Sequence, residues 1–221
     1  MQKFIFDLDN TLYPEDLNVF PLIDARINSY MRDILGIPAH EVDTLRHFYW
    51  QQYGVTLLGL ITHYQTDPED YLRYVHDVDL SQVLKPNKKL RKALEKIQCS
   101  RVIFTNGSAD HAENVLSALG LEGLFEEIFD VRIASFLPKP FPEPYIEMLR
   151  RMDVEARHCV MFDDLPANLK TAKDLGMKTV LVGSRDPEDY IDLYLERVCG
   201  IGDIQDFFPA QELNHDLEET N

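Results

Sequence analysis

Cysteine and positive charge are both scarce in this sequence of 221 residues. The three cysteines are an odd number at no metal-binding spacing, which argues against a disulfide framework and a cysteine-rich zinc site. Lysine and arginine number 22 and aspartate and glutamate 38, so the formal net charge is -16. Because nucleic acid polymers and anionic membranes are bound through basic surfaces, neither is an expected partner of so acidic a protein.

Long apolar runs are also missing. No stretch approaches the roughly 20 residues that cross a bilayer, and the first apolar run, residues 4–6, is too short for a signal peptide. We therefore expect a cytoplasmic protein, as a monomer or dimer, with no membrane partner. The hydrophobic fraction of 45% is typical of a folded chain, and the length suits one large domain or a core with a sizeable insertion.

Short apolar runs that stop at small or acidic residues recur along the chain. Their length and continuity are typical of strands buried on both faces of a sheet. Segments with ordinary helix start and stop signals follow several of them, and alternating strands and helices predict an α/β fold with a parallel sheet. The four runs are residues 3–6, 101–104, 159–162 and 179–182.

Residues 14–84 have a different pattern, with no clear strand. Apolar residues at helical spacing predict an all-helical cap domain inserted into the α/β core. The core then comprises residues 1–13 and 85–221. The predicted cap helices are residues 21–35, 38–53 and 55–64, and a fourth after Pro68.

The C-terminal part carries two weaker signals. Asp186 and Pro187 are typical of a helix start, and that helix is predicted to end near Gly200. The residues from about Asp203 onward are acidic and weakly patterned, so we expect them to pack loosely.

Acidic residues follow two of the predicted strands. Asp7 is a candidate nucleophile for attack on a phosphate ester, and Asp9 is placed to act as general acid and then as general base. Clustered carboxylates repel one another, and Mg2+ is their natural counter-charge because it binds carboxylates, water and phosphate oxygens together. We expect Asp7 and Asp164 as direct ligands, with Asp163 beside them.

Two further segments supply groups that bind phosphate. Thr105, Asn106 and Gly107 offer a hydroxyl and backbone N–H groups just before a predicted helix, which is a favourable place for an anion. Lys139 lies between two prolines that stiffen its segment, and its charge would neutralise both a phosphate and Asp7. Each feature alone is more typical of an ordinary turn, helix cap or loop, so the prediction depends on their combination and order.

Four segments resemble the four motifs of the haloacid dehalogenase superfamily. The resemblance implies a Rossmann-like core with a mobile cap inserted after the first motif. It implies that Asp7 is the nucleophile, that Asp9 is the acid/base with its backbone carbonyl on Mg2+, and that Thr105 and Lys139 bind the phosphoryl group. An acid at the position of Asp9 favours phosphoryl transfer over carbon–halogen cleavage. The segments are Asp7–Leu12, Phe104–Gly107, Pro138–Pro140 and Phe162–Asp164.

A closer resemblance, to the pyrimidine 5′-nucleotidase-like branch, involves residues 9–14, 53–60 and 84–91. It implies a phosphatase whose substrate is a pyrimidine 5′-nucleotide. The alternative is a phosphatase or phosphotransferase acting on a sugar phosphate or another small phosphometabolite. A receiver domain is disfavoured because its paired acids precede the phosphorylated aspartate, and a silent binding protein because every chemical position is occupied.

Several cap residues are candidates for the substrate pocket. Tyr13 is close to Asp9 in sequence, and Tyr53 and His63 are further candidates. The aromatic cluster of residues 48–50 and Tyr53 is interpreted mainly as the core of the cap itself, with one or two members left to face the substrate.

Overall fold

The computed structural model describes residues 2–183 and 188–203. No helix in this part of the chain is both long and apolar enough to cross a membrane. The residues from 204 onward, with the predicted loosely packed acidic tail, lie outside the described residues. The cytoplasmic location and the monomeric or dimeric state stay predictions.

Six parallel strands form one sheet in the order β3-β2-β1-β4-β5-β6. This confirms the predicted α/β class, and the four predicted strands are all present. Strand β1 lies in the middle, where Phe6 is in register with Ile103 of β2 and Phe162 of β4. The three strands therefore end at the same edge. The strands are β1 Lys3–Phe6, β2 Ser100–Phe104, β3 Glu127–Phe129, β4 Cys159–Asp163, β5 Lys178–Val182 and β6 Leu193–Leu195.

Apolar side chains on both faces of the sheet explain its continuous hydrophobic runs. In β1, Phe4 and Phe6 face one core cluster and Ile5 faces the other, as the alternation of a strand requires. Helices α5 and α6 cover the first face and α7 and α8 the second. These helices are α5 Lys88–Glu95, α6 Ala109–Leu119, α7 Pro142–Met152 and α8 Pro166–Asp174.

Four helices lie between β1 and α5, where the cap is predicted. A π-helical turn, Tyr30–Ile34, continues α1, and the helices share an apolar cluster that contains Tyr49, Leu60 and Leu72. The bounds of the cap domain, 14–84, stay a prediction. The helices are α1 Val19–Ser29, α2 Ala39–Tyr53, α3 Thr56–Tyr64 and α4 Pro68–Val75.

The aromatic cluster of α2 is split by the faces of the helix. Tyr49 is buried against α3, as expected for a core residue of the cap. Phe48 and Trp50 are 49% and 54% exposed, so these two lie outside the cap core, while Tyr53 packs against it with Tyr49. The reason is geometric, because neighbouring helical residues point about 100° apart.

The predicted helix between Pro187 and Gly200 is wrong. The chain instead forms the edge strand β6, which pairs with β5 through Val180 and Leu193, and a 3-10 segment, Val198–Asp203. Residues 186 and 187, which carried the start signal, lie outside the described residues. Strands β3 and β6 are three residues long, too short to show the pattern by which strands are predicted.

Candidate active site

The ends of β1, β2 and β4 bring the predicted core residues together. The N–H of Asp7 donates to the carbonyl of Phe162 over 2.8 Å, which prolongs the β1–β4 pairing by one residue. Thr105 directly follows β2, and Asp163 is the last residue of β4. Since parallel strands present their carboxyl ends at one edge, these side chains converge as the sequence predicts.

Lys139 is buried at the centre of this group. Its ammonium lies 2.7 Å from Asp7 Oδ1, 2.9 Å from Asp163 Oδ2 and 2.7 Å from the carbonyl oxygen of Phe104. The side chain of Asn106 fixes the Lys139 backbone: Oδ1 accepts from the Lys139 N–H over 2.7 Å, and Nδ2 donates to its carbonyl over 3.0 Å. The amide of Asn106 is therefore engaged with Lys139, and its predicted part in binding phosphate stays a prediction.

Asp163 is held by donors on both of its oxygens. Besides Lys139, it accepts from the backbone N–H of Leu165 and from Asn168 Nδ2, each over 2.9 Å. Asp163 is completely buried, so these bonds offset the cost of removing its charge from water. Its oxygens have less capacity left for a further partner than those of Asp7 and Asp164.

Three carboxylates could hold a metal ion together. Asp7, Asp163 and Asp164 each offer an oxygen, and the three oxygens lie within 4.8 Å of one another. Burial and the neighbouring Asp163 raise the pKa of Asp164 to about 7 against the opposing effect of Lys139. Burial also raises the pKa of Asp7, although Lys139 opposes it. A cluster of hard oxygen donors with this excess of negative charge fits Mg2+.

Asp9 is held by two donors that reach the same oxygen. The hydroxyl of Tyr13 donates to Asp9 Oδ1 over 2.5 Å, and His111 Nε2 lies 2.9 Å from that oxygen. Burial acts to raise the pKa of Asp9, but the interactions with His111 and Tyr13 outweigh it and lower the pKa. Tyr13 is buried beside Asp9 and holds its carboxylate. It is not among the residues that line the cavity described below, so the prediction that it lines the substrate pocket is not borne out.

His111 is a residue of the site that the sequence does not reveal. It lies in the first turn of α6, four residues after Gly107, and is completely buried. Its ring stacks on that of His76 with 4.5 Å between centroids and 15° between planes. The nearness of His111 to the predicted phosphate-binding segment at a helix start was the one signal in the sequence.

A cavity of about 580 Å³ opens above these residues. Asp7, Asp9, Thr105, Lys139 and Asp164 line it from the edge of the sheet. The inserted helices contribute, among others, Phe20, Arg46, His47, Trp50 and His76.

Tyr53 and His63, two predicted pocket residues, lie elsewhere in the cap. The Tyr53 hydroxyl and His63 Nε2 are 2.8 Å apart, and the His63 ring stacks on Tyr49. The rings of Tyr49 and Tyr53 pack against His63 of α3, whereas Arg46 and Trp50 of the same helix line the cavity. Proximity in sequence to the aromatic cluster was therefore not a guide to the residues that line the cavity.

Residues 1–176 match the family model described as haloacid dehalogenase-like hydrolase. The chain belongs to this family. The expected superfamily and its hydrolase class are thereby confirmed, whereas the pyrimidine nucleotidase branch stays a prediction.

Named relatives and solved structures agree with this membership. Phosphate metabolism protein 8 of Saccharomyces cerevisiae is 30% identical over 80% of this chain, which spans 60% of that protein's length. The Phosphorylated carbohydrates phosphatase of Thermotoga maritima is 25% identical over 81% of this chain and 84% of its own. The structure of the 2-haloacid dehalogenase from Pseudomonas syringae pv. Tomato DC3000 superposes with a TM-score of 0.62, covering 95% of this chain and 100% of that one. At 19% identity this last likeness shows the fold alone.

Proposed function

We propose that this hydrolase is a phosphatase that cleaves a small phosphomonoester through a phospho-aspartate on Asp7. The observation that carries the proposal is the position of Asp7, which lies at the floor of the cavity between the Lys139 ammonium and the carboxylate of Asp164. A carboxylate nucleophile needs positive charge beside it to approach a phosphate dianion. Lys139 supplies part of that charge, and a divalent cation held by the three carboxylates would supply the rest.

The first step transfers the phosphoryl group. A carboxylate oxygen of Asp7 forms a bond to phosphorus while the bond to the ester oxygen breaks, and Asp9 gives its proton to the departing alkoxide. The Thr105 hydroxyl oxygen accepts from the Gly107 N–H over 3.0 Å, and its own proton would donate to a phosphoryl oxygen. The negative charge of bound phosphate favours the protonated form of Asp9 that this step requires.

The second step releases phosphate. Asp9, again ionised, takes a proton from water as the water oxygen attacks phosphorus and the bond to Asp7 breaks. The hydrogen bonds from Tyr13 and His111 favour this ionised form. Mg2+, held by Asp7, Asp164 and the backbone carbonyl of Asp9 with Asp163 beside them, would polarise the phosphoryl group and offset the carboxylate charges.

The preferred substrate class is a pyrimidine 5′-nucleotide. Phe20 and Trp50, which are 40% and 54% exposed, line the cavity that contains Asp7, and an exposed aromatic face in a phosphate site suits a planar base. The alternative is a sugar phosphate, which is supported by the name of the Thermotoga relative. A phosphotransferase that returns the group to a sugar is a variant of this alternative.

A phosphate-release screen tests the reaction. Wild-type protein with Mg2+ is incubated with nucleoside monophosphates, sugar phosphates and small phosphorylated acids, and inorganic phosphate is measured. Asp7→Asn should abolish release, whereas Asp174→Asn, at an exposed position of α8, should leave it at the wild-type rate. Substantial activity in the Asp7 variant would refute the nucleophile assignment, and faster transfer to added sugars than to water would identify a phosphotransferase.

A pair of aromatic variants tests the substrate class. Trp50→Ala removes an aromatic side chain that lines the cavity, and Phe48→Ala removes one from the same helix that is equally exposed but lies outside the lining. Loss of base stacking, worth about 1–3 kcal/mol, should raise KM for a nucleotide roughly tenfold in the Trp50 variant only. An equal effect of both variants, or a preference of the wild type for sugar phosphates, would contradict the nucleotide proposal.

A further inference from the structure

We propose that His111 is a positioning residue for the acid/base carboxylate of Asp9, and that His76 from the inserted helices holds the His111 ring in place. This inference rests on the proposed function, since it concerns the group that moves protons in both steps. It adds to the site two histidines, His111 from the first turn of α6 and His76 from the inserted helices.

The hydrogen bonding of His111 indicates that its side chain serves Asp9. Nε2 lies 2.9 Å from Asp9 Oδ1, and the other ring nitrogen, Nδ1, is buried with no hydrogen-bond partner among residues 2–183 and 188–203. A buried polar atom left unpaired costs free energy. A histidine retained at that cost, with one hydrogen bond directed at a carboxylate, is explained better by orienting the carboxylate than by packing.

The backbone around His111 fixes the position of its ring. Ser108 is the N-cap of α6, and its hydroxyl accepts from the His111 N–H over 3.2 Å. A Cβ at Gly107 would lie 3.3 Å from His111 Cδ2 and 3.8 Å from Asp9 Oδ2. Glycine at this position therefore leaves room for the ring and the carboxylate to meet.

His76 supports the other side of the ring. It directly follows α4, lines the cavity and stacks on His111 in near-parallel planes. Its Nδ1 lies 2.9 Å from the Ser108 hydroxyl, so Ser108 contacts both histidines. His76, which follows the inserted helix α4, thus contacts His111, and His111 in turn contacts the acid/base carboxylate of Asp9.

The two hydrogen-bond donors to Asp9 determine which carboxylate oxygen is free to give and accept the proton. Tyr13 and His111 both approach Oδ1, so Oδ2 is the oxygen that faces proton transfer. If the hydrogen bond of His111 is lost, Asp9 keeps the bond from Tyr13, but its carboxylate is held less firmly. The effect of that loss on the rate depends on how much the reaction needs a proton from Asp9.

Leaving-group dependence provides the test, because an alkoxide must be protonated as it leaves and a dinitrophenolate need not be. The rate of phosphoryl transfer is measured by rapid quench for an alkyl phosphate and for 2,4-dinitrophenyl phosphate. His111→Ala should slow the alkyl ester by about 10- to 100-fold, less than the roughly 100- to 10,000-fold that general acid catalysis contributes, because Asp9 itself is still present. It should slow the aryl ester less than threefold and let phospho-enzyme accumulate. His111→Gln, which retains an N–H donor, should restore part of the alkyl rate, and His40→Ala serves as a matched surface control.

A double-mutant cycle separates positioning from a general structural defect. If His111 acts through Asp9, then Asp9→Asn combined with His111→Ala should be no slower than Asp9→Asn alone.

The role of His76 is tested with the same two esters. His76→Ala should slow the alkyl ester more than the aryl ester, as His111→Ala does. His76→Phe, which keeps a flat ring, should retain more activity on the alkyl ester. Equal slowing of both esters, or independent effects in the cycle, would overturn the role of His111. Wild-type leaving-group dependence in His76→Ala would overturn that of His76.

The outcomes also separate this inference from the proposed function. If the wild-type protein releases no phosphate from any ester, the phosphatase proposal fails. If it is active, and Asp9→Asn discriminates between leaving groups while His111→Ala does not, only the positioning role fails.

Discussion

The ammonium of Lys139 lies 2.7 Å from Asp7 Oδ1, although 132 positions separate the two residues in the chain. The lysine side chain is 1% exposed and that of Asp7 11%. Burial favours the uncharged form of Lys139, but Asp163 and Asp7 outweigh it and raise the pKa of the lysine, so it stays charged. A fixed positive charge at this place serves the fold and the proposed reaction together.

Replacing Lys139 with methionine should therefore impair both stability and activity. Removal of one partner of a buried ion pair leaves its carboxylates without compensation, which costs about 3–5 kcal/mol. We expect the free energy of unfolding without Mg2+ to fall by about this amount in denaturant titrations, and phosphate release to fall below detection.

Lys170→Met is the matched control for this substitution. Lys170 pairs with Asp174 one turn along α8, with both side chains at least half exposed, and such pairs contribute less than about 1 kcal/mol. An equal loss of stability in the two variants would show that the Lys139 pair has no special role.

Magnesium should stabilise the folded protein in a manner that depends on Asp164. A ligand that binds only the native state adds about 2.7 kcal/mol at a concentration of 100 times its Kd. Thermal unfolding of metal-free protein should therefore shift upwards on addition of Mg2+, and phosphate release should require the metal. Asp164→Asn should reduce both responses, whereas Asp174→Asn should retain them. A Mg2+ shift of wild-type size in the Asp164 variant would exclude this residue as a ligand.

The fold was predictable wherever a strand was long enough to display its pattern. The apolar runs of β1, β2, β4 and β5 are buried on both faces, so their sequences need no alternation and stand out. Strands β3 and β6, at the two edges, have three residues each. Their pairing depends on the neighbouring strand, which is information that no local pattern contains.

The site was predictable where residues follow strands and unpredictable where they lie on helices. Asp7, Thr105 and Asp163 occupy strand ends, and sheet geometry alone brings such positions together. His76 and His111 meet only because α4 and α6 approach each other in the tertiary structure. In the sequence, a histidine in or just after an amphipathic helix has no local feature that distinguishes a residue of the site from a packing residue.

Helices α2 and α3 approach so closely at Gly59 that alanine should not fit. A Cβ there would lie 2.3 Å from Tyr49 Cγ, well inside van der Waals contact. Alanine favours a helix over glycine by about 1 kcal/mol, but overpacking of a core costs about 1–3 kcal/mol, so we expect net destabilisation in chemical denaturation. Gly202→Ala, where no atom lies within 4 Å of the added carbon, is the control. Stabilisation by Gly59→Ala would show that the two helices separate at little cost.

The uncharged state of His76 should make stability depend on pH. Burial lowers the pKa of His76 from 6.5 to about 3, the nearby His111 acts in the same direction, and Asp9 opposes them. The unfolded chain takes up a proton as the pH falls through about 6.5, whereas the folded protein does not until near 3. Hence the stability is complete above pH 6.5 and decreases below it, by about 2 kcal/mol at pH 5 for this one group.

Unfolding free energies at pH 7 and pH 5 test this for wild type and His76→Phe. All other groups titrate in both proteins, so the difference between the two pH-dependent losses isolates residue 76. Phenylalanine cannot take up a proton, and the loss between pH 7 and pH 5 should therefore be about 2 kcal/mol smaller in the variant. His40→Phe, at a side chain that is 81% exposed, should show the wild-type loss. Equal losses in wild type and the His76 variant would mean that His76 is protonated as readily in the folded protein as in the unfolded chain, and that its ring is not enclosed between the helices and the sheet.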